Sequence, residues 1–186
     1  MNSDSSSVIE ILKGLNMKRI LVLALIMACS FGCSKPDTYD YPESVPEAFS
    51  VSLTWNCFGV SSYDSETGKL VKTTDATNPA DYVTYYQLTD EDKSFIYDLI
   101  VSMDVYSYPD VYDPNENLGS DPPMTLILKV NINGDSKEIK AEDIAGEFTS
   151  KNKKGQTFLS TCRAIINRLQ STVEWKALPE YEFFYD

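Results

Sequence analysis

The sequence contains no histidine among its 186 residues, and this absence excludes several kinds of site. A Ser-His-Asp or Cys-His catalytic relay and any metal site with an imidazole ligand require that side chain. Basic residues are also scarce, since 16 lysines and arginines stand against 28 aspartates and glutamates and give a net charge of -12. We therefore expect no nucleic-acid partner, because phosphate contacts need a basic surface.

Common catalytic motifs and long apolar runs are missing as well. The chain has no glycine-rich phosphate loop, no Cys-x-x-Cys pair and no Gly-x-Ser-x-Gly motif. One apolar run, residues 20–31, stands out, and its 12 residues fall short of the roughly 20 that a transmembrane helix needs. The missing motifs leave no recognisable catalytic set. The length of the apolar run argues against a permanent membrane span.

A basic segment, Met17–Arg19, directly precedes this apolar run, and cysteines follow near its end. That order is typical of a secretory signal peptide and not of a fold element. The cysteine position resembles the lipobox of bacterial lipoproteins, in which the cysteine becomes the mature N-terminus and carries lipid. The resemblance implies lipid attachment at Cys33, which follows Gly32, with Cys29 as the alternative.

Three segments are predicted along the chain. Residues 1–32 form an upstream extension and a lipoprotein-type signal peptide, and we expect translation to begin at Met17. Residues 33–46 are rich in proline and charge and predict a flexible tether. Residues 47–186 predict a single domain. The resemblance to a lipobox implies that this domain lies at the cell membrane, lipid-anchored and facing outside the cytoplasm, so the membrane itself is an expected partner.

The hydrophobic pattern of the domain predicts the α+β class. Alternation of apolar and polar residues indicates strands, which we place at 49–57, 69–74, 82–88, 124–132 and 136–141. Residues 63–68 have turn composition. Thr89 can cap a first helix whose apolar stripe includes Phe95, and residues 158–169 have the spacing of a second amphipathic helix. We expect an antiparallel sheet of about five strands with both helices packed on one face.

The domain has two cysteines, Cys57 and Cys162, each on a predicted apolar face. An oxidising compartment permits a disulfide between them, which would close a long loop. The alternative is two buried thiols that act as small hydrophobic side chains. A cysteine nucleophile is not expected, because the chain has no histidine to activate it.

The acidic segment 110–121 suggests two further sites. Asp113, Asn115 and Asn117 have the alternate spacing of a calcium loop, with Asp121 as a further oxygen ligand, but the glycine and the closing acid of an EF-hand are missing. We therefore expect no cofactor, with Ca²⁺ as the one candidate and a solvated acidic loop as the simpler interpretation. The neighbouring tyrosines Tyr106, Tyr108 and Tyr112 are candidates for a binding loop.

Three short segments of the sequence carry a second resemblance. They are Tyr63–Leu70, Ser107–Asp110 and Glu174–Pro179, and they resemble small lipoproteins of anaerobic bacteria, a group with no assigned activity. The resemblance covers most of residues 49–186 and implies a lipoprotein with one compact domain. It implies no catalytic or binding residue.

Together these features predict a lipid-anchored binding or interaction module without catalysis, directed at an unknown cell-surface protein or ligand. Two alternatives from other classes stay open. One is a small surface hydrolase that uses carboxylates, which need no histidine. The other is an extracellular domain stabilised by calcium.

Overall fold

A computed structural model describes residues 39–57, 60–73, 81–114, 121–144 and 150–180. These ranges contain six strands, two long helices, a 3-10 turn at Val105–Ser107 and a helix of four residues. The strands are β1 Phe49–Trp55, β2 Ser61–Asp64, β3 Lys69–Thr73, β4 Asp81–Tyr85, β5 Met124–Ile132 and β6 Asp135–Ile144. The helices are α1 Asp90–Met103, α2 Lys153–Gln170 and α3 Val173–Lys176.

The six strands form one antiparallel sheet in the order β4-β3-β2-β1-β5-β6. The α+β class is therefore confirmed, with one strand more than the five predicted. The additional strand is β2, which occupies the first part of the segment assigned to a turn, while the turn itself lies at 65–68. The sequence does not predict this strand because it has no clear alternation of apolar and polar residues. Two serines begin it, and only Tyr63 is a large inward side chain.

Alternation along β1 separates the two faces of the sheet. Its inward side chains are buried and its outward side chains are half-exposed. The inward residues are Phe49, Val51, Leu53 and Trp55, and they join one hydrophobic core with the inward residues of β5 and β6 and with the stripes of α1 and α2. Because both long helices contribute to this one core, they lie on the same face of the sheet.

The helical stripes agree with the prediction except at Phe95. Every predicted apolar position of α2 is buried: Phe158, Leu159, Cys162, Ile165, Ile166 and Leu169. In α1, Phe95 is 39% exposed and lies under the Arg168 guanidinium. Tyr97 is buried in its place, because its hydroxyl reaches the carbonyl oxygen of Pro42 at 2.7 Å and so keeps a partner inside the protein.

A capping box starts α1, and its Thr89 is the cap that the sequence predicts. The Thr89 hydroxyl accepts the Asp92 backbone N–H, and the Asp92 carboxylate accepts the Thr89 backbone N–H at 2.9 Å. Arg168 of α2 donates to the same carboxylate through Nε at 2.5 Å. One buried side chain therefore both begins α1 and ties it to α2.

The two ends of the domain also pack on it. Residues 39–45 belong to the predicted tether, yet the Tyr41 hydroxyl donates to Asp104 at 3.0 Å and the Tyr39 ring stacks on Tyr106 at 3.9 Å. At the other end, Trp175 packs on Trp55 at 5.7 Å between ring centroids. The four aromatic residues of the tail after Glu180 lie outside the described residues. Within the described ranges, no helix combines the length and hydropathy needed to cross a membrane.

Candidate functional site

The three tyrosines predicted as a binding loop lie in two separate clusters. Tyr108 is 3% exposed, meets Tyr112 edge to face at 5.1 Å, and donates its hydroxyl to the Lys154 carbonyl oxygen. Tyr106 instead stacks on Tyr39, and its hydroxyl donates to the Asp135 carbonyl oxygen at 2.7 Å. The three side chains therefore do not form one exposed surface.

The segment that follows Tyr108 covers an edge of the sheet. The Tyr112 backbone N–H donates to the Lys140 carbonyl at 2.9 Å, and the Lys140 N–H donates to the Asp110 carbonyl at 2.7 Å. Lys137 on the same strand also reaches the Asp110 carboxylate at 2.6 Å. These contacts protect strand β6 from pairing with another chain, which gives the segment a structural task.

The calcium candidates are only partly described. Asp113 and Asp121 fall inside the described ranges, whereas Asn115 and Asn117 lie outside them. Over the part of the chain that the structure describes, no cluster of three or more acidic or cysteine side chains is placed to hold a metal ion. The calcium site therefore stays a prediction.

The two domain cysteines are free thiols in the structure. Cys57 is half-buried, and its thiol contacts the Met124 thioether at 3.4 Å, while Cys162 is completely buried in α2. Burial raises the pKa of both thiols. A raised pKa favours the protonated thiol at both positions, and the thiol is a weaker nucleophile than the thiolate. The lipid-attachment candidates Cys33 and Cys29 lie outside the described residues.

A cleft of about 410 Å³ opens on the sheet face opposite the helices, and we call it the outer-face cleft. Strands β1, β2, β5 and β6 and the β2–β3 turn supply its lining. The lining residues are Ser50, Val51, Ser52, Asp64, Glu66, Lys129, Asn131 and Ser136. Its volume lies within the range of small-molecule sites, but its lining is polar where such sites are mostly apolar.

One wall of this cleft is held rigidly by the β2–β3 turn. Ser65 exchanges two hydrogen bonds with Val51 of β1, at 2.9 Å through its backbone N–H and at 2.8 Å through its hydroxyl. The Ser50 hydroxyl donates to Glu66 at 2.8 Å, and Thr67 donates twice to Asp64. Gly68 closes the turn with a φ of 71°, a conformation that favours glycine. The wall is therefore preorganised before any ligand arrives.

The floor of the cleft belongs to a row of residues that crosses all six strands. Direct strand partners place these residues side by side on the outer face, and we call them the outer row: Tyr85, Lys69, Asp64, Ser52, Lys129 and Glu138. Lys69 stands opposite Asp64, and Lys129 stands opposite Glu138. Opposite charges on directly paired residues stabilise a sheet, and Ser52 lies between the two pairs.

Several polar groups in the cleft have no protein partner within the described ranges. They are the hydroxyls of Ser52 and Ser136, the Lys129 ammonium and the amide nitrogen of Asn131, whose oxygen accepts the Gly134 N–H at 2.9 Å. A hydroxyl both donates and accepts, whereas an ammonium only donates. The cleft can therefore hydrogen-bond a polar ligand in both directions.

The carboxylates of the cleft do not form an acid–base pair around a substrate. A glycosidase places its two carboxyl groups on either side of the scissile bond. Here Asp64 and Glu66 both come from β2 and its turn, while Lys129 of β5 stands beyond Ser52. The geometry suits binding better than hydrolysis.

Comparison with known proteins gave no match, neither to a protein-family model nor to a curated protein.

Sequence reasoning missed the outer-face cleft, although part of its signal was visible. The alternation along β1 marks Ser50 and Ser52 as outward-facing. What the sequence does not reveal is the register that brings Lys129 beside Ser52, because those residues are far apart in the chain.

Proposed function

We propose that this protein is a lipid-anchored extracytoplasmic binding protein without catalytic activity, and that the outer-face cleft is its ligand site. The observation that carries the proposal is the cleft itself, with a preorganised wall and polar groups that have no partner in the described residues. Binding sites often consist of such positioned polar groups on a rigid scaffold.

The anchor half of the proposal rests on the order of basic segment, apolar run and cysteine at 17–33. The whole chain has a net charge of -12. Because like charges repel, such a charge keeps protein molecules dispersed at a crowded surface. Membrane association then comes from the lipid at Cys33 and not from the folded domain.

The non-catalytic half rests on the placement of the acids. Both cleft carboxylates accept hydrogen bonds from neighbouring hydroxyls, since Ser50 donates to Glu66 and Thr67 donates to Asp64. They stand on one side of the cleft, so no pair brackets a bond to be cleaved. The surface hydrolase is therefore the weaker alternative.

Membrane fractionation of cells that express the protein tests the anchor. The wild-type chain should sediment with membranes, and Cys33→Ala should release it, while Cys29→Ala should leave it bound. Release by Cys29→Ala alone would show that the lipid is attached to Cys29. Membrane association of the double variant Cys29→Ala/Cys33→Ala would contradict the lipid anchor.

A matched pair of variants tests the cleft. Ser52→Tyr places a large ring on the floor of the cleft, whereas Thr54→Tyr places it two residues along the same face of β1 and outside the cleft lining. Immobilised wild-type chain and the Thr54→Tyr variant should retain the same component of a cell-surface extract, and Ser52→Tyr should not. Equal retention by both variants would contradict a function of the cleft.

A further inference from the structure

We infer that the outer-face cleft binds an uncharged oligosaccharide that lies across the strands along the outer row. This inference deepens the proposed function and rests on it for the location of the ligand site. It adds the chemical class of the ligand, which four features of the outer face support: its charge balance, its donors and acceptors, its paired backbone and its exposed tyrosine.

The charges of the outer row argue for a neutral ligand. The whole chain has a net charge of -12, yet in this row Lys69 faces Asp64 and Lys129 faces Glu138. Each charge therefore has an opposite charge on the adjacent strand. The charges of this row sum to zero, so the row offers a strongly anionic or cationic ligand no net attraction, whereas a neutral ligand needs none.

The hydrogen-bonding groups of the cleft match the hydroxyls of a sugar. The serine hydroxyls, Ser52 and Ser136, can donate and accept, and the amide nitrogen of Asn131 and the Lys129 ammonium can only donate. Within the described ranges none of these groups has a protein partner. A chain of sugar hydroxyls also donates and accepts, so it can satisfy both kinds of group.

The backbone of the sheet argues against a peptide that binds by adding a strand. Strand addition needs a free sheet edge. The cleft lies over β1, β2, β5 and β6, and three of these are interior strands whose neighbours on both sides are in place. The fourth, β6, has its outer edge contacted by Asp110 and Tyr112. A ligand on this face therefore meets side chains and not backbone.

An exposed aromatic ring lies at one end of the outer row. Tyr85 of β4 is 66% exposed and stands beside Lys69. A tyrosine ring offers a rigid apolar face with a polar tip, and it can stack on the apolar face of a sugar ring. Strands lie about 4.8 Å apart, so the row from β4 to β6 is about 24 Å long. This length favours several sugar units over one.

A glycan array tests the ligand class with the full-length chain in detergent. The neutral probes are oligosaccharides derived from dextran, mannan and xylan. The charged probes are heparin fragments, oligogalacturonate and an oligolysine peptide. We expect binding to at least one neutral probe and to no charged probe.

Matched variants then locate the binding. The double variant Ser52→Ala/Ser136→Ala should weaken the affinity for that neutral probe about tenfold or more, because it removes two hydrogen-bonding hydroxyls. Tyr85→Ala should weaken it for long oligosaccharides more than for short ones. Thr54→Val is the control, because it removes a hydroxyl from the same face of β1 outside the cleft lining.

Three results would overturn the inference: no neutral probe binds at millimolar concentration, a charged probe binds more tightly than every neutral one, or the double variant binds like Thr54→Val. The second result would leave the proposed binding function intact if Ser52→Tyr still abolished that binding. Membrane release by Cys33→Ala is measured separately, so a failed anchor and a wrong ligand class give different outcomes.

Discussion

Replacing Asp92 by Asn should destabilise the fold by removing a charge that several elements share. The Asp92 side chain is 1% exposed, and its carboxylate accepts hydrogen bonds from Tyr86, Thr89 and Arg168. Tyr86 directly follows β4, Thr89 caps α1, and Arg168 lies in the last turn of α2. An asparagine has nearly the same shape but no charge, and its amide nitrogen cannot accept a hydrogen bond.

The pKa of Asp92 sets the size of this effect. Burial raises the pKa of the carboxyl group, but the hydrogen bonds from Thr89, Tyr86 and Arg168 outweigh burial and lower it from 3.8 to about 2. Since one pKa unit corresponds to 1.36 kcal/mol, the folded protein favours the ionised carboxyl group by about 2 kcal/mol. Asp92→Asn should therefore lower the free energy of unfolding at pH 7 by about 2 to 3 kcal/mol.

The same shift predicts a pH dependence. Because the pKa of the folded protein lies below that of the unfolded chain, the Asp92 contribution is present above about pH 4 and is lost as the pH falls towards 2. Urea unfolding followed by the fluorescence of Trp55 and Trp175 measures this at pH 7 and at pH 2.5. The difference between wild type and Asp92→Asn should shrink at the lower pH.

Glu91→Gln is the matched control. Glu91 is the neighbouring acid in the first turn of α1 and also binds Arg168, at 3.1 Å, but its side chain is 82% exposed. Exposed ion pairs contribute little, so this variant should change the free energy of unfolding by less than about 1 kcal/mol. Equal losses for the two variants, or a loss for Asp92→Asn that does not depend on pH, would refute the assigned role of the buried carboxylate.

Three other predictions concern the fold. Gly68→Ala should cost about 1 kcal/mol more than Gly134→Ala in urea unfolding, since both glycines have positive φ but only at Gly68 would a Cβ displace the Gln87 side chain and lie 3.0 Å from the Tyr86 carbonyl oxygen; equal costs would contradict this. Iodoacetamide should label half-buried Cys57 faster than fully buried Cys162, measured by peptide mass spectrometry; equal rates would argue against the packing of α2. Tyr41→Phe removes the hydroxyl that binds Asp104 and should lower stability by about 1 kcal/mol in thermal unfolding; an unchanged melting temperature would contradict that role.

The parts of the fold that local pattern determines were predictable. The stripe of α2 and the Thr89 cap depend on spacing and residue type within a single helix, and both match the structure. Phe95 was assigned wrongly because several neighbouring apolar positions in α1 compete for the core. Tyr97 is the side chain that is buried, and its hydroxyl donates to the carbonyl oxygen of Pro42, which is distant in sequence.

The candidate site was less predictable for a related reason. The sequence pattern identifies Ser52 as an outward-facing residue of a strand. Whether Ser52 belongs to a cleft depends on its neighbours Asp64 and Lys129 on the adjacent strands. Strand register at long range is not encoded in the alternation of one strand. The tyrosines near residue 108 predict a binding loop because aromatic residues often mark binding surfaces. In this fold their rings and hydroxyls are used mainly for packing.

The core lies on one face of the sheet and the proposed ligand site lies on the other, so effects of a variant on binding can be distinguished from effects on folding. On β1 the inward residues, such as Leu53, are buried in the core, while outward residues such as Ser52 keep contact with solvent. Surface substitutions of that kind usually change stability by less than about 0.5 kcal/mol. Ser52→Ala should therefore unfold in urea like the wild type, and any loss of ligand binding in that variant must come from the outer-face cleft.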